Sequence, residues 1–317
     1  MSVQRMLSIA LGVQLLLVAV NWWPGAGGAA PARSVFDLER TAIERIEIAT
    51  QGQADDAPSP VVLAQGDAGW TVESVGGYPA TPARIDDLVD SLLGLTTGGP
   101  IATQAASHAA LKVGDDSYGR RIKVVANGEP VEWLIGAATN RSVNMRRVGE
   151  DDVYLARGAS EWSFRDQASN YYDASYVDAD AATFDAVALD NGHGDLRFEK
   201  QDSSWTFSDL AEGESADPEK IEAFLSAVAK LRMREPVGPD VLPEFGLSRG
   251  SPEDASDQLR IDWTIVAEDQ SVSGGYTVGA AVDGDRYVKA VDQLFVVRVA
   301  ESAVQRLLDA KRSEFLK

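Results

Sequence analysis

The sequence predicts an α+β protein made of two tandem repeats. Each repeat is a mostly antiparallel sheet with a helix after the third strand, and an N-terminal hydrophobic helix precedes both. Three observations carry this. Trp70 to Leu95 and Trp205 to Leu231 share one plan: a Trp-Thr strand, a polar loop, a capped helix start and an amphipathic helix. Short apolar strands joined by hairpin signals surround both stretches. The chain opens on an almost wholly apolar run, Leu7 to Val20.

The two helix starts are chemically alike. Thr81-Pro82 and Asp217-Pro218 each set an oxygen-bearing side chain before a proline. That oxygen can accept from the free amides of the first turn. Proline in the first helical position loses nothing, because its missing N–H would have had no partner there. Ile85, Leu88, Val89, Leu92 and Leu95 then recur at helical spacing, as do Ile221, Phe224, Leu225, Val228 and Leu231. Each set forms one apolar face. The helices are expected over residues 82–95 and 218–231.

Strands follow from alternation and turn chemistry. In the first copy Ile46 and Ile48 alternate, and Val61 to Ala64 faces Trp70 to Glu73 across a Gly-containing turn. Arg121 to Ala126 and Val131 to Ile135 flank Asn127-Gly128, the strongest short hairpin signal. Asn144 to Val148 and Val153 to Ala156 form the next hairpin. In the second copy Phe184, Val187 and Leu189 stand for Ile43, Ile46 and Ile48. Leu196 to Glu199, Trp205 to Phe207, Leu259 to Val266 and Gly275 to Gly279 follow as strands. Arg286 to Ala290 and Leu294 to Val299 form the last hairpin, and Ala303 to Leu316 a terminal helix. Residues 159–178 are expected to be partly helical.

The resulting organisation is a membrane anchor or signal segment over 1–24, a linker over 25–40 and a first repeat over 41–165. A connector over 166–181 and a second repeat over 182–317 follow. As a helix, residues 7–23 span about 25 Å, against about 30 Å of bilayer hydrocarbon. Trp22-Trp23 suit a membrane–water interface, and Pro24 ends the helix. A retained anchor is the preferred assignment. A cleaved signal peptide is the alternative, with Ala30-Pro31-Ala32 as its cleavage site.

Composition narrows the partners. The net charge of −20 argues against a nucleic-acid groove, which needs a basic footprint. The absence of cysteine excludes disulfides, thiolate metal sites and a cysteine nucleophile.

Catalytic patterns are not found. His108 and His193 are the only histidines and occupy unrelated positions, expected as exposed loop residues, so neither a His-based triad nor a multi-His metal site follows. Asp190-Asn191-Gly192-His193-Gly194-Asp195 contains calcium-type ligands but lacks the distal glutamate of an EF-hand, and a tight turn explains the same letters. Asp283-Gly284-Asp285 reads likewise. Gly98-Gly99-Pro100 follows a helix rather than opening one, unlike a phosphate loop. No catalytic, cofactor-binding or metal-binding residue is assigned, no cofactor is expected, and the chain is not expected to be an enzyme. Trp162, Phe164, Tyr171, Tyr172 and Tyr176 form an aromatic cluster. It is expected to pack the lobes together or, alternatively, to offer an interface to a partner protein.

These features together resemble the domain family of unknown function called DUF4340. The resemblance rests on Trp70 and Trp205, the helix starts Pro79-Ala80-Thr81 and Ala216-Asp217-Pro218, the Gly-Leu segment Phe245-Gly246-Leu247, and the strand ends Ile135-Gly136 and Val278-Gly279. Asn144-Met145-Arg146 and Tyr287-Val288-Lys289 complete it. It covers about residues 40–317. The first copy departs from the pattern at Ala110-Leu111-Lys112. The resemblance implies a bacterial membrane-tethered protein of the kind encoded beside ABC-transporter components, including those of gliding-motility type. It carries over no catalytic residues.

The expected function is that of a non-catalytic, membrane-tethered periplasmic accessory or assembly protein of an envelope ABC-transport system. The partners would be the inner membrane, through the N-terminal helix, and a transporter permease or auxiliary subunits. The location would be the bacterial inner membrane, single-pass, with the C-terminal bulk in the periplasm or outside. The alternative is a periplasmic module binding a glycan or lipid in a cleft between the two lobes.

Overall fold

The computed structural model describes residues 32–51, 59–139, 141–247, 258–267 and 270–317. The expected N-terminal helix lies outside them. Among the described residues no helix is long and apolar enough to cross a membrane. The described chain is mostly β, with antiparallel sheets and three α-helices.

The chain begins with β1 (Arg33–Ser34), β2 (Ile43–Thr50), β3 (Val61–Gly66), β4 (Gly69–Val72), β5 (Tyr78–Pro79) and α1 (Pro82–Leu93). It continues with β6 (Thr96–Thr97), β7 (Val113–Gly114), β8 (Ser117–Tyr118), β9 (Arg120–Ala126), β10 (Glu129–Thr139), β11 (Ser142–Arg147) and β12 (Val153–Arg157). After β13 (Ser175–Asp178) come β14 (Ala186–Asp190), β15 (Asp195–Gln201), β16 (Ser204–Phe207) and α2 (Pro218–Val228). The last elements are β17 (Lys230–Arg232), β18 (Glu235–Gly238), β19 (Leu259–Ala267), β20 (Gln270–Val282), β21 (Asp285–Ala290), β22 (Val296–Ala300) and α3 (Glu301–Asp309).

Two compact units result. One holds the described residues up to 58 with Asp86–Arg165, and the other holds Ser59–Ile85 with Asp166–Lys317. The sheet of the first unit runs β1-β6-β12-β11-β10-β9-β2. Alternation builds it, because successive strand residues face opposite sides. Ile46 and Ile48 on β2 and Ile122 and Val124 on β9 are all buried. Asn127 and Gly128, at φ 52° and 77°, close the β9–β10 hairpin in the positive-φ turn such ribbons favour. On β10, Trp133, Leu134 and Ile135 are buried in succession, because both faces are covered at this point. Leu134 packs with Val113 and Val153. Trp133 meets the rings of Phe36 and Tyr154.

The second unit's main sheet runs β16-β15-β14-β19-β20-β21-β22-β18. Strands β3, β4 and β5 pair antiparallel in this unit, and β13 pairs with β17. Its core centres on four rings. Phe198 lies 5.0 Å from Phe207, and Phe224 lies 4.9 Å from Phe315.

Both helix starts fall at Pro82 and Pro218, as the sequence predicts. Asp217 Oδ1 accepts from Lys220 N at 3.3 Å. The helix ends differ from expectation. Helix α2 stops at Val228, and Leu231 lies in β17 opposite Val177. Burial by strand pairing replaces burial on a helix face. Helix α1 stops at Leu93, and Leu95 is buried beyond it. The part-helical character expected of residues 159–178 is limited to 3-10 turns, with no α-helix there. Single 3-10 turns, Glu161–Ser163 and Ala168–Asn170, and strand β13 stand there. A Ser160/Ser163 capping box starts the first of these turns. The terminal helix is shorter than expected, ending at Asp309, and a 3-10 turn, Arg312–Phe315, follows. Asn191 explains part of that stop. Its amide donates to Leu307 O at 3.0 Å and Ala310 O at 2.9 Å, satisfying carbonyls at the helix C-terminus.

Candidate functional site

The site candidate is an apolar groove of about 350 Å³ in the second unit. One wall is the segment Tyr78 to Pro82, held between β4 and the start of α1. Ala80 N donates to Trp70 O at 2.9 Å and Thr81 N to Tyr171 O at 2.7 Å. Pro79 and Pro82 have no N–H to offer, so this wall presents mainly rings and carbonyls. The opposite wall is the turn between β21 and β22, with Gln293, Leu294 and Phe295. Asp173 and Ser175 lie at the rim.

The floor is a chain of aromatic rings. Tyr78 meets Phe295 edge-on at 5.0 Å and Tyr172 at 5.5 Å. These edge-to-face contacts are worth about 0.5–1.5 kcal/mol beyond area burial. Tyr176 pins the turn at both ends. Its hydroxyl donates to Phe295 O at 2.6 Å and accepts from Ala290 N at 2.9 Å. Burial pushes the Tyr176 phenol well above its usual range, so the hydroxyl keeps the proton it donates. Burial first, and the Asp173 charge second, raise Tyr78 as well.

This framework holds Leu294 out of the core. Leu294 is 68% exposed and Val291 70% exposed, while Phe295 beside them is buried. Burying a leucine is worth about 1.5–3 kcal/mol, a gain the monomer forgoes here. Because this hydroxyl bonds both ends of the turn, Tyr176→Phe is expected to lower stability by about 1–3 kcal/mol, leaving a buried amide and carbonyl without their partner. Urea unfolding measures the loss. Faster hydrogen exchange at the Ala290 amide would localise it to this turn.

The residues singled out by sequence lie elsewhere or do other work. His108 is buried, correcting its expected exposure; its Nε2 donates to Asp151 O at 2.9 Å. His193 is exposed. Asn191 is buried and committed to the end of α3, and its Oδ1 accepts from His193 N at 3.1 Å. Asp283 and Gly284, at φ 49° and 79°, form the β20–β21 turn. Asp285 is buried against Arg234 at 2.7 Å and Arg298 at 3.0 Å. The aromatic cluster separates: Phe164, Tyr171, Tyr172 and Tyr176 are buried, while Trp162 is 80% exposed. Tyr171, through its carbonyl, Tyr172 and Tyr176 support the groove. Tyr78, Asp173 and Phe295 escape sequence reasoning, and Leu294 is read there as the first residue of a strand. That strand begins at Val296 instead.

Family comparison bears on the same region. The family profile described as "Domain of unknown function (DUF4340)" matches residues 70–250, more than half of the chain. The chain belongs to the DUF4340 family. No curated protein and no solved structure matches it. The DUF4340 match takes in the wall at Tyr78 to Pro82 and the supports Tyr172 and Tyr176, and ends before the turn that carries Leu294. Within the DUF4340 span lie α1, α2 and the Gly246 turn, where the chain adopts φ 62°.

Proposed function

We propose that this chain is a non-catalytic, membrane-tethered accessory protein of an envelope ABC-transport system, and that it holds a protein partner at the groove of its second unit. The observation that carries the docking role is Leu294, kept exposed beside an aromatic-lined groove by hydrogen bonds that fix its turn. Exposed apolar residues gathered at a preformed concavity mark interaction sites. The apolar run Leu7 to Val20 supports the tether, with the acidic bulk on the far side of the membrane. The test is in-cell crosslinking of the full-length chain carrying a photoreactive residue at position 293, beside Leu294 in the groove lining, followed by mass spectrometry of the membrane fraction. Recovery of a transporter permease or auxiliary subunit is the expected result. Recovery of this chain alone would overturn the reading.

A tandem-copy origin for the two halves fits this scaffold role, and several matched details support it. Ile48, Ile122 and Trp133 pair in one row across three strands, as Leu189, Ile261 and Tyr276 do. The next strand pairing shifts register between Ile135 and Ala138, and again between Val278 and Ala281. Gly136 and Gly279 stand at those shifts, one against Leu111 and Lys112, the other against Phe245 and Gly246. Lys112 takes φ 54° where Gly246 takes 62°. The residue before each helix donates to a carbonyl of the segment that ends each copy: Thr81 N to Tyr171 O at 2.7 Å, Asp217 N to Phe315 O at 2.8 Å. On this reading each copy is a helix after three strands, with the first copy's closing segment reaching Tyr171.

A further inference from the structure

We infer that the groove of the second unit takes a short segment of a partner protein in which an apolar side chain is flanked by lysine or arginine. This deepens the docking role proposed above and rests on it. The argument is one of chemical complementarity. The backbone of one wall offers few free donors. Pro79 and Pro82 lack N–H groups. The amides of Ala80 and Thr81 are engaged with Trp70 and Tyr171 carbonyls. What remains at the surface is apolar, edged by the hydroxyls of Tyr78, Thr81 and Ser175, the Gln293 side-chain amide and carboxylates.

Exposed Asp173 lines the rim, and exposed Asp292 precedes the lining residue Gln293 in the opposite turn. Among the described residues neither is ion-paired; Asp173 Oδ1 accepts only from Ser175 N, at 2.9 Å. The cations next along the chain from the walls are already engaged. Arg84 donates to Ser169 O at 3.2 Å and Tyr172 O at 2.6 Å. Lys289 donates to the carbonyls of Ala290 and Gln293. An apolar floor calls for an apolar anchor, and the unpaired carboxylates call for a cation beside it. A volume of about 350 Å³ admits a short run of side chains rather than a folded surface. The −20 net charge of the chain adds attraction at long range, and salt will weaken it.

The test uses the full-length chain in detergent and two labelled synthetic peptides, read by fluorescence anisotropy. Both carry the same Leu-Pro-Leu centre, one flanked by lysines and arginines, the other by glutamates. The cationic peptide is expected to bind at least tenfold more tightly than the acidic one. L294S and the double variant D173N/D292N are each expected to weaken it at least fivefold. The double variant D67N/D202N makes the same change in net charge at two exposed hairpin turns, and is expected to leave binding within twofold. Equal weakening by D67N/D202N would reduce the effect to net charge and overturn the inference, as would unchanged binding in L294S. Equal binding of both peptides, or of neither, overturns it too. If crosslinking from position 293 still recovers a partner in those cases, the docking role stands and only its charge preference falls.

Discussion

Gly279→Ala is expected to remove about 3–5 kcal/mol of stability, with Gly136→Ala close behind it. At Gly279 an added methyl would overlap the carbonyl oxygen of Phe245, and would sit 3.0 Å from Gly246 C and 3.1 Å from its oxygen. At Gly136 it would overlap the carbonyl oxygens of Leu111 and Lys112 and lie 2.8 Å from Lys112 C. All of these atoms are backbone, so no side chain can swing aside. Relief requires moving a whole segment off the sheet at the point where the register shifts. The two glycines lie in different compact units, so if the units melt separately the two losses will appear in different transitions. Gly66→Ala is the control, because the nearest atom to its added methyl is 3.8 Å away. Urea midpoints of the three variants decide the matter. A loss below about 1 kcal/mol at both Gly136 and Gly279 would mean that these close approaches are not rigid.

That pair of glycines also marks where sequence was informative. The aliphatic-Gly strand ends Ile135-Gly136 and Val278-Gly279 are visible as a recurring motif, but the letters do not reveal that the missing side chain makes room for another segment. Helix starts are legible because their chemistry is local: a capping oxygen, then proline. Helix ends are less so, since Leu231 fits both a helix face and the strand position opposite Val177. The burial of His108 depends on a carbonyl at Asp151, far along the chain. The groove is the least legible feature. It gathers Tyr78 to Pro82, Asp173 to Ser175 and Gln293 to Phe295 from three separate places. Leu294 looks like any core leucine until the pairing of β21 with β22 starts after it. Within the aromatic cluster no periodicity separates the exposed Trp162 from the buried Tyr172.

Phe315→Ala is expected to cost about 3–5 kcal/mol, lowering the melting temperature of the second unit by roughly 10 °C. Phe315 is 2% exposed and meets three other rings, Phe198 at 5.2 Å, Phe207 at 6.4 Å and Phe224 at 4.9 Å. Its removal leaves a cavity bounded by β15, β16 and α2, which are held by their own hydrogen bonds and cannot collapse into it fully. Arg312, in the same 3-10 turn, tests whether the cost belongs to the ring or to the turn. It stacks 4.1 Å from the Phe207 ring and pairs with Asp209 and Glu214. Hydrogen bonds from Arg312 hold both carboxyl groups below their usual range. These contacts are solvent-accessible, so Arg312→Ala is expected to cost only about 1 kcal/mol. Phe315→Leu keeps most of the buried volume and should recover most of the loss. If Arg312→Ala costs as much as Phe315→Ala, the turn is held by its ion pairs, and the four-ring core is not what closes the second unit. If the order is as expected, burial of one ring near the end of the chain secures the backbone hydrogen bond from Asp217 N to Phe315 O, and with it the start of α2.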